Sequence, residues 1–214
     1  MDKMDEQIIV VQRASLELTA GPLAQGVITD EAYVKQALAI LLEDFDVMRR
    51  GNAETNTAYK QPIPYVMLTK HEDGEDYVFA YERLEAGGEA RLHGKLSIGL
   101  GGHMNHFSGT ALYTEMMREL EEELQWELNV NPDADPQPFL LGQTVIGLIN
   151  DDSNEVGQVH LGLLVKAISS PDWDVTVRET DQLRGEWVRV DDMLDAKRFE
   201  RLENWSQLAI KALA

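Results

Sequence analysis

One stretch constrains this chain more than any other: a glycine-rich break followed by a helix with two unlike faces. Gly101-Gly102-His103-Met104-Asn105-His106-Phe107-Ser108-Gly109 leads into a segment whose spacing predicts a helix from Thr110 to about Glu127. At about 100° per residue, Tyr113, Met116, Met117, Leu120 and Leu124 fall on one side. Glu115, Glu119, Glu122 and Glu123 gather on another, with Arg118 at its edge. The Ser108 hydroxyl is placed to accept a bond from a free N–H of the first turn.

A face of glutamates resists folding by itself. Like charges at i,i+4, such as Glu115/Glu119 and Glu119/Glu123, each cost a helix roughly 0.2–0.5 kcal/mol. Arg118, four before Glu122, relieves part of this. A divalent cation relieves more, because hard ions such as Mg²⁺ prefer oxygen ligands. The bland alternative is a solvated acidic face. Confinement of the acids to one side, and a Gly-Gly turn where backbone can approach a ligand closely, favour the metal.

Arg118-Glu119-Leu120-Glu121-Glu122-Glu123 resembles the REUxEE heart of the Nudix box, and Gly101-Gly102 resembles the pair of glycines that opens it. The resemblance implies Mg²⁺, or Mn²⁺, held against a diphosphate. By it, Glu119, Glu122 and Glu123 bind metal or activate water, the Gly102 carbonyl adds a ligand, and Arg118 orients the glutamates. It implies a Nudix-like α/β/α sandwich with a mixed sheet and a nucleoside diphosphate-type substrate; such proteins are often homodimers. The long SIGLGGHMN approach looks most like the MutT-like predicted phosphoesterase subgroup. Three departures stand out. Thr110 replaces the Glu eight residues before the Arg, the Gly102–Arg118 spacing is longer than usual, and Gln125 replaces a helix-stopping Gly. The last predicts a helix running on towards Asn129 and Pro132.

Composition narrows the partners. A net charge of −19 with a pI near 4.5 opposes binding to nucleic acid or an anionic membrane. Such charge equally serves solubility. There is no apolar run long enough to span a bilayer, and no cysteine for disulfides or Cys-based zinc sites. The opening MDKMDEQ lacks the build of a signal peptide. A cytoplasmic protein is expected.

Along the chain, Gln7–Arg13 reads as a strand, and Thr29 or Asp30 caps a helix over EAYVKQALAILLEDFDVMRR. Residues 51–59 read as a polar loop. Residues 1–60 are taken as an N-terminal strand-helix extension and 61–214 as the Nudix domain. In the latter, Ile63–Lys70 and Tyr77–Arg83 form a hairpin about an Asp-Gly turn, and Lys95–Leu100 leads into the glycines. Leu140–Ile149, Val156–Ala167 and Trp187–Val190 are further strands, and Arg198–Leu213 is an amphipathic terminal helix. The residue pattern alone supports an α+β chain with a mixed sheet.

Other candidate site residues lie outside the box. Arg83, Arg91, His93 and Lys95 concentrate positive charge ahead of it and suit phosphate oxygens, unless they merely balance nearby acids. His103 and His106 have no third ligand in view and read as polar loop residues, or as groups touching substrate. Among Asp151, Asp152 and Glu155, Glu155 is the choice for an extra catalytic acid; the alternative is a polar turn. Tyr65, Tyr81 and Phe107 could stack a base but fit sheet packing as well. The reading is a Mg²⁺-dependent hydrolase of a diphosphate linkage. The alternatives are a non-catalytic Nudix-like nucleotide sensor and a prenyl diphosphate isomerase, whose usual Cys is missing.

Overall fold

The computed structural model describes residues 2–84, 93–106, 128–130, 143–169, 175–178 and 180–214. Its strands are β1 (Gln7–Gln12), β2 (Gly26–Ile28), β3 (Phe45–Arg49), β4 (Tyr59–Glu72), β5 (Glu75–Arg83), β6 (Leu96–Ser97), β7 (Leu128–Val130), β8 (Gln143–Asn150), β9 (His160–Ile168), β10 (Val175–Val177) and β11 (Leu183–Arg189). The helices are α1 (Arg13–Ala20), α2 (Glu31–Glu43), α3 (Arg50–Ala53), α4 (Glu155–Val159), α5 (Val190–Met193), α6 (Ala196–Phe199) and α7 (Asn204–Ile210). The order β11-β5-β4-β9-β8-β2 forms the main sheet, with β1 on β4 and β3 on β1. β5 pairs antiparallel with β4, β6 and β11. β4 and β9 are linked from Lys60 to His160 and from Thr69 to Ala167 and Ser169, so their numbering rises together and they run parallel. The sheet is mixed and the chain α+β.

Two compact units result. The first comprises Met1–Tyr65, Gly101–Glu121 and Val145–Leu164; the second Val66–Leu100, Glu122–Thr144 and Val165–Ala214. In the first, the IIVV run of β1 is buried on both faces, which a strand needs when both faces meet a core. Ile9 and Val11 pack with Leu16, Val34, Ala37, Ile40, Leu41, Met104 and Leu161; Ile8 and Val10 pack with Ala53. In the second, Val66, Val78, Phe79, Ile98, Val188 and Ile210 are buried. There Asp73 (φ 53°) and Gly74 (φ 84°) make the two-residue turn that sets Glu72 opposite Glu75.

Several expected elements are revised. The helix after Asp30 ends at Asp44. Residues 45–49 instead form β3, because Phe45, Val47 and Met48 can pair along β1 in register with Val11, Ile9 and Ile8. The supposed loop 51–59 begins as α3. Strand β4 starts at Tyr59 and passes through Pro62 and Pro64, which lie between the residues paired to β1 and those paired to β5, where missing N–H groups disturb neither register. Val156 belongs to α4, and β9 begins only at His160. The acidic helix does not reach Asn129, since Leu128–Val130 is a strand paired with β10. The terminal helix is broken: Leu96 exchanges backbone bonds with Arg201 and Glu203, and the Glu203 carboxylate caps α7 at the N–H groups of Trp205 and Ser206.

Candidate functional site

The two glycines come first. A Cβ at Gly101 would sit 2.2 Å from the Pro64 carbonyl oxygen, so only glycine allows the chain to turn there. Gly102 follows, half-buried. The next residues are held by β1. The Ile9 N–H donates to Met104 O at 2.9 Å, the His106 N–H donates to Gln7 O at 2.9 Å, and Asn105 bridges Ile8. The Met104 side chain is buried in the core of the first unit. The N-terminal segment thus supports the loop that opens the acidic stretch.

This tether sets His103 against two residues far away in sequence. Its Nε2 lies 3.0 Å from Nε2 of His160, at the start of β9, and 3.5 Å from Oε1 of Glu54, just after α3. One donor atom from each lies within 4.8 Å of the others, and among the described residues this trio could hold a metal ion. His160 is buried, and its Nδ1–H donates to Val156 O at 2.7 Å. Burial pushes its pKa down, outweighing that bond, so the ring is neutral with its Nε2 lone pair turned to the cluster. The bond from His103, with a further bond from Arg50, outweighs burial and holds the Glu54 carboxyl at about 2, so it is ionised. Arg50 also donates to Glu54 Oε1, at 3.3 Å, and to Glu6 Oε2, at 3.1 Å.

Lys60 secures the backbone around His160. Fully buried, its Nζ donates to Asp152 Oδ1 at 2.7 Å, Gly157 O at 2.9 Å and His160 O at 3.3 Å, which uses all three of its protons. Arg13 grips Asp152 with two bonds, at 3.2 and 2.6 Å, and Gln25 adds one at 2.8 Å. Burial alone raises the Asp152 pKa, but the bonds from Arg13, Lys60 and Gln25 win and hold it well below the usual carboxylate range. Asp152 is a structural anchor. A Cβ at Gly157 would lie 1.7 Å from Asp151 O, so α4 closes onto this loop only through a glycine.

Of the residues singled out in the sequence, Arg118, Glu119, Glu122 and Glu123 lie outside the described residues, as do Arg91, Thr110, Glu115, Gln125 and Phe107. Glu155 is exposed in the first turn of α4, not in an open loop. In the second unit Arg83, His93 and Lys95 are drawn together: Arg83 bridges His93, and its N–H donates to Lys95 O at 3.3 Å. The Arg83 guanidinium lies over the Tyr81 ring, 5.5 Å from its centre. Tyr65 and Tyr81 are buried in the sheet, the Tyr81 hydroxyl donating to Gly99 O at 2.9 Å. His103, read from sequence as a polar loop residue with no third ligand in view, lies against His160 and Glu54. Glu54, His160, Lys60 and Arg13 were missed. Lys60 gave no distinct local signal, since the same strand carries Gln61, Thr69, Lys70, His71 and Glu72.

Fold and box together define the class: the chain belongs to the Nudix hydrolase superfamily. It is 41% identical over 214 residues to protein YmaB of Bacillus subtilis (strain 168), covering the whole of both chains, and belongs to that protein's family. It is similar to the crystal structure of Tm1382, put forward as a Nudix hydrolase: TM-score 0.75, 25% identity, 97% of this chain and 98% of that one. The Nudix domain of Shewanella oneidensis NrtR, seen with ADP-ribose, is a distant likeness, with TM-score 0.40 and 12% identity over 72% of this chain and 86% of that one. No protein-family model matches the chain.

Proposed function

We propose that the chain is a Mg²⁺-dependent (or Mn²⁺-dependent) Nudix hydrolase that splits a diphosphate linkage in a nucleoside diphosphate derivative. The observation that carries this is the unbroken Arg118–Glu123 core behind Gly101-Gly102, in a chain alike to Tm1382 over nearly its full length. The Gly102 carbonyl and the Glu119, Glu122 and Glu123 carboxylates form an all-oxygen donor set, which fits Mg²⁺, and the close backbone at Gly101 fits a ligand-holding turn. When bound, the ion neutralises phosphate charge and makes water more acidic. Arg118 orients the glutamates. Glu119 or Glu155 takes the proton of the attacking water. Arg83, Arg91, His93 and Lys95 hold phosphate oxygens.

In this reading residues 61–214 are the hydrolase domain and residues 1–60 an extension. The substrate is a small molecule, not nucleic acid or membrane; the enzyme is cytoplasmic and a homodimer. A sensor that binds a nucleotide without turning it over is the second reading, favoured by Thr110 and Gln125 in place of the usual Glu and Gly. Phosphate release from a panel of nucleotides with Mg²⁺ separates the two. Glu123→Gln is expected to lower turnover on the order of 100-fold while the fold survives. Full Mg²⁺-dependent activity in that variant removes Glu123 from the mechanism, and silence of the wild type across the panel favours the sensor.

A further inference from the structure

We propose that Glu54, His103 and His160 form a second metal site, for a zinc-class divalent ion, separate in its ligands from the glutamates of the box. Its geometry is that of a donor set. A tetrahedral ion with donors about 2.0–2.1 Å away spaces them about 3.3 Å apart. Two of the three observed separations, 3.0 Å (His103 to His160) and 3.5 Å (His103 to Glu54), bracket that value, and the third lies within 4.8 Å.

The second observation is independent of those distances. The Nδ1–H of His160 is committed to the Val156 carbonyl, which leaves Nε2 as a lone pair facing His103 at 3.0 Å. Metal-binding histidines are oriented in this way, by a bond from the ring nitrogen that does not touch the ion. The support extends outward, since Lys60 binds the carbonyls of both Gly157 and His160.

Two imidazole nitrogens decide the kind of ion. Mg²⁺ asks for octahedral oxygen donors, whereas imidazole suits zinc and its transition-metal neighbours. Three protein donors leave a fourth position for water or another oxygen ligand, the pattern of a zinc site that is not closed. Arg50 holds the same Glu54 oxygen at 3.3 Å, but Glu6 gives its guanidinium a second anchor, so an ion shares Glu54 with Arg50 without leaving that cation bare. The site rests wholly on residues of the first unit. It holds whether or not the box is catalytic.

The test is calorimetric titration of Zn²⁺ into the full chain, stripped of metal with a chelator and kept in excess Mg²⁺ to fill oxygen-only sites. One equivalent is expected to bind, and to bind equally when Glu119, Glu122 and Glu123 are all changed to Gln. His103→Gln keeps a donor toward Glu54 and His160 but lacks the imidazole, and should weaken binding at least about 100-fold. Glu54→Gln, a near-isosteric change at a half-buried residue, should weaken it too and serves if the histidine variant does not fold, which metal-free melting reports. Co²⁺ in place of Zn²⁺ should give the visible bands of a four-coordinate ion, lost in either variant. No Zn²⁺ binding, or binding lost only with the box glutamates, or binding indifferent to both site variants, overturns the proposal and leaves a hydrogen-bonded chain from Glu54 to His160. Nucleotide hydrolysis with Mg²⁺ alone, followed in parallel, reports on the box and keeps the two proposals apart.

Discussion

Lys60 is a fully buried charge that the first unit has to satisfy. A buried ammonium is costly unless every proton finds an acceptor, and here Asp152 supplies charge while two carbonyls supply the rest. Asp152→Asn takes the bonded carboxylate from Lys60 and leaves Arg13 with Glu17 alone. It should cost about 3 kcal/mol in urea denaturation at neutral pH, since removing one partner of a buried pair strands the other. The same variant tests the acid response. The Asp152 pKa is depressed in the fold, so its contribution is complete above its unfolded value, about 3.9, and is lost as pH falls toward the folded value. Wild type should therefore lose more stability than the variant between about pH 5 and about pH 3; parallel slopes would remove Asp152 from the acid transition.

At the level of elements, short helices place the chemistry and caps place the helices. α2 begins at Asp30, whose carboxylate accepts the Tyr33 N–H at 2.8 Å, and its buried stripe of Val34, Ala37, Ile40 and Leu41 follows from that start. Asp30→Ala should cost about 1 kcal/mol by denaturant titration, with the slope unchanged because the surface exposed on unfolding is the same. An unaltered midpoint would show the start of α2 to be set by packing alone. α4 is capped likewise, Asn154 Oδ1 accepting the Gly157 N–H at 2.9 Å, and this turn delivers both the Val156 carbonyl to His160 and the Gly157 carbonyl to Lys60. Bonds from β1 fix the other side of the trio, which makes the N-terminal strand part of the site's frame.

For the molecule as a whole, charge sets what it avoids. With a net charge of −19, neutralising phosphates is the work of a few local cations or a bound ion, never of the surface at large. No stable complex with duplex DNA is expected at physiological salt, by gel shift; a tight, salt-sensitive complex would contradict this. Among the described residues no helix is long and apolar enough to cross a membrane.

The sequence by itself determined the features that are local. The two periods of its apolar residues marked β1 and the first three turns of α2, Asp-Gly marked the hairpin turn, and the Arg118–Glu123 spacing carried the family. These are written in neighbours three or four apart, where backbone geometry alone decides who meets whom. Tertiary structure decided the rest. The helical reading of Phe45–Arg49 gave way because β1 offered a pairing edge, and the extended reading of Val156–Val159 gave way because Gly157 can close against Asp151. Glu54 and His160 are separated by more than a hundred residues, and neither carries a motif. Only the tether of loop 103–106 to β1, and the seating of β9 by Lys60, brings them to His103. A carboxylate and two imidazoles become a site by being held a few ångströms apart, and that separation belongs to the packed chain.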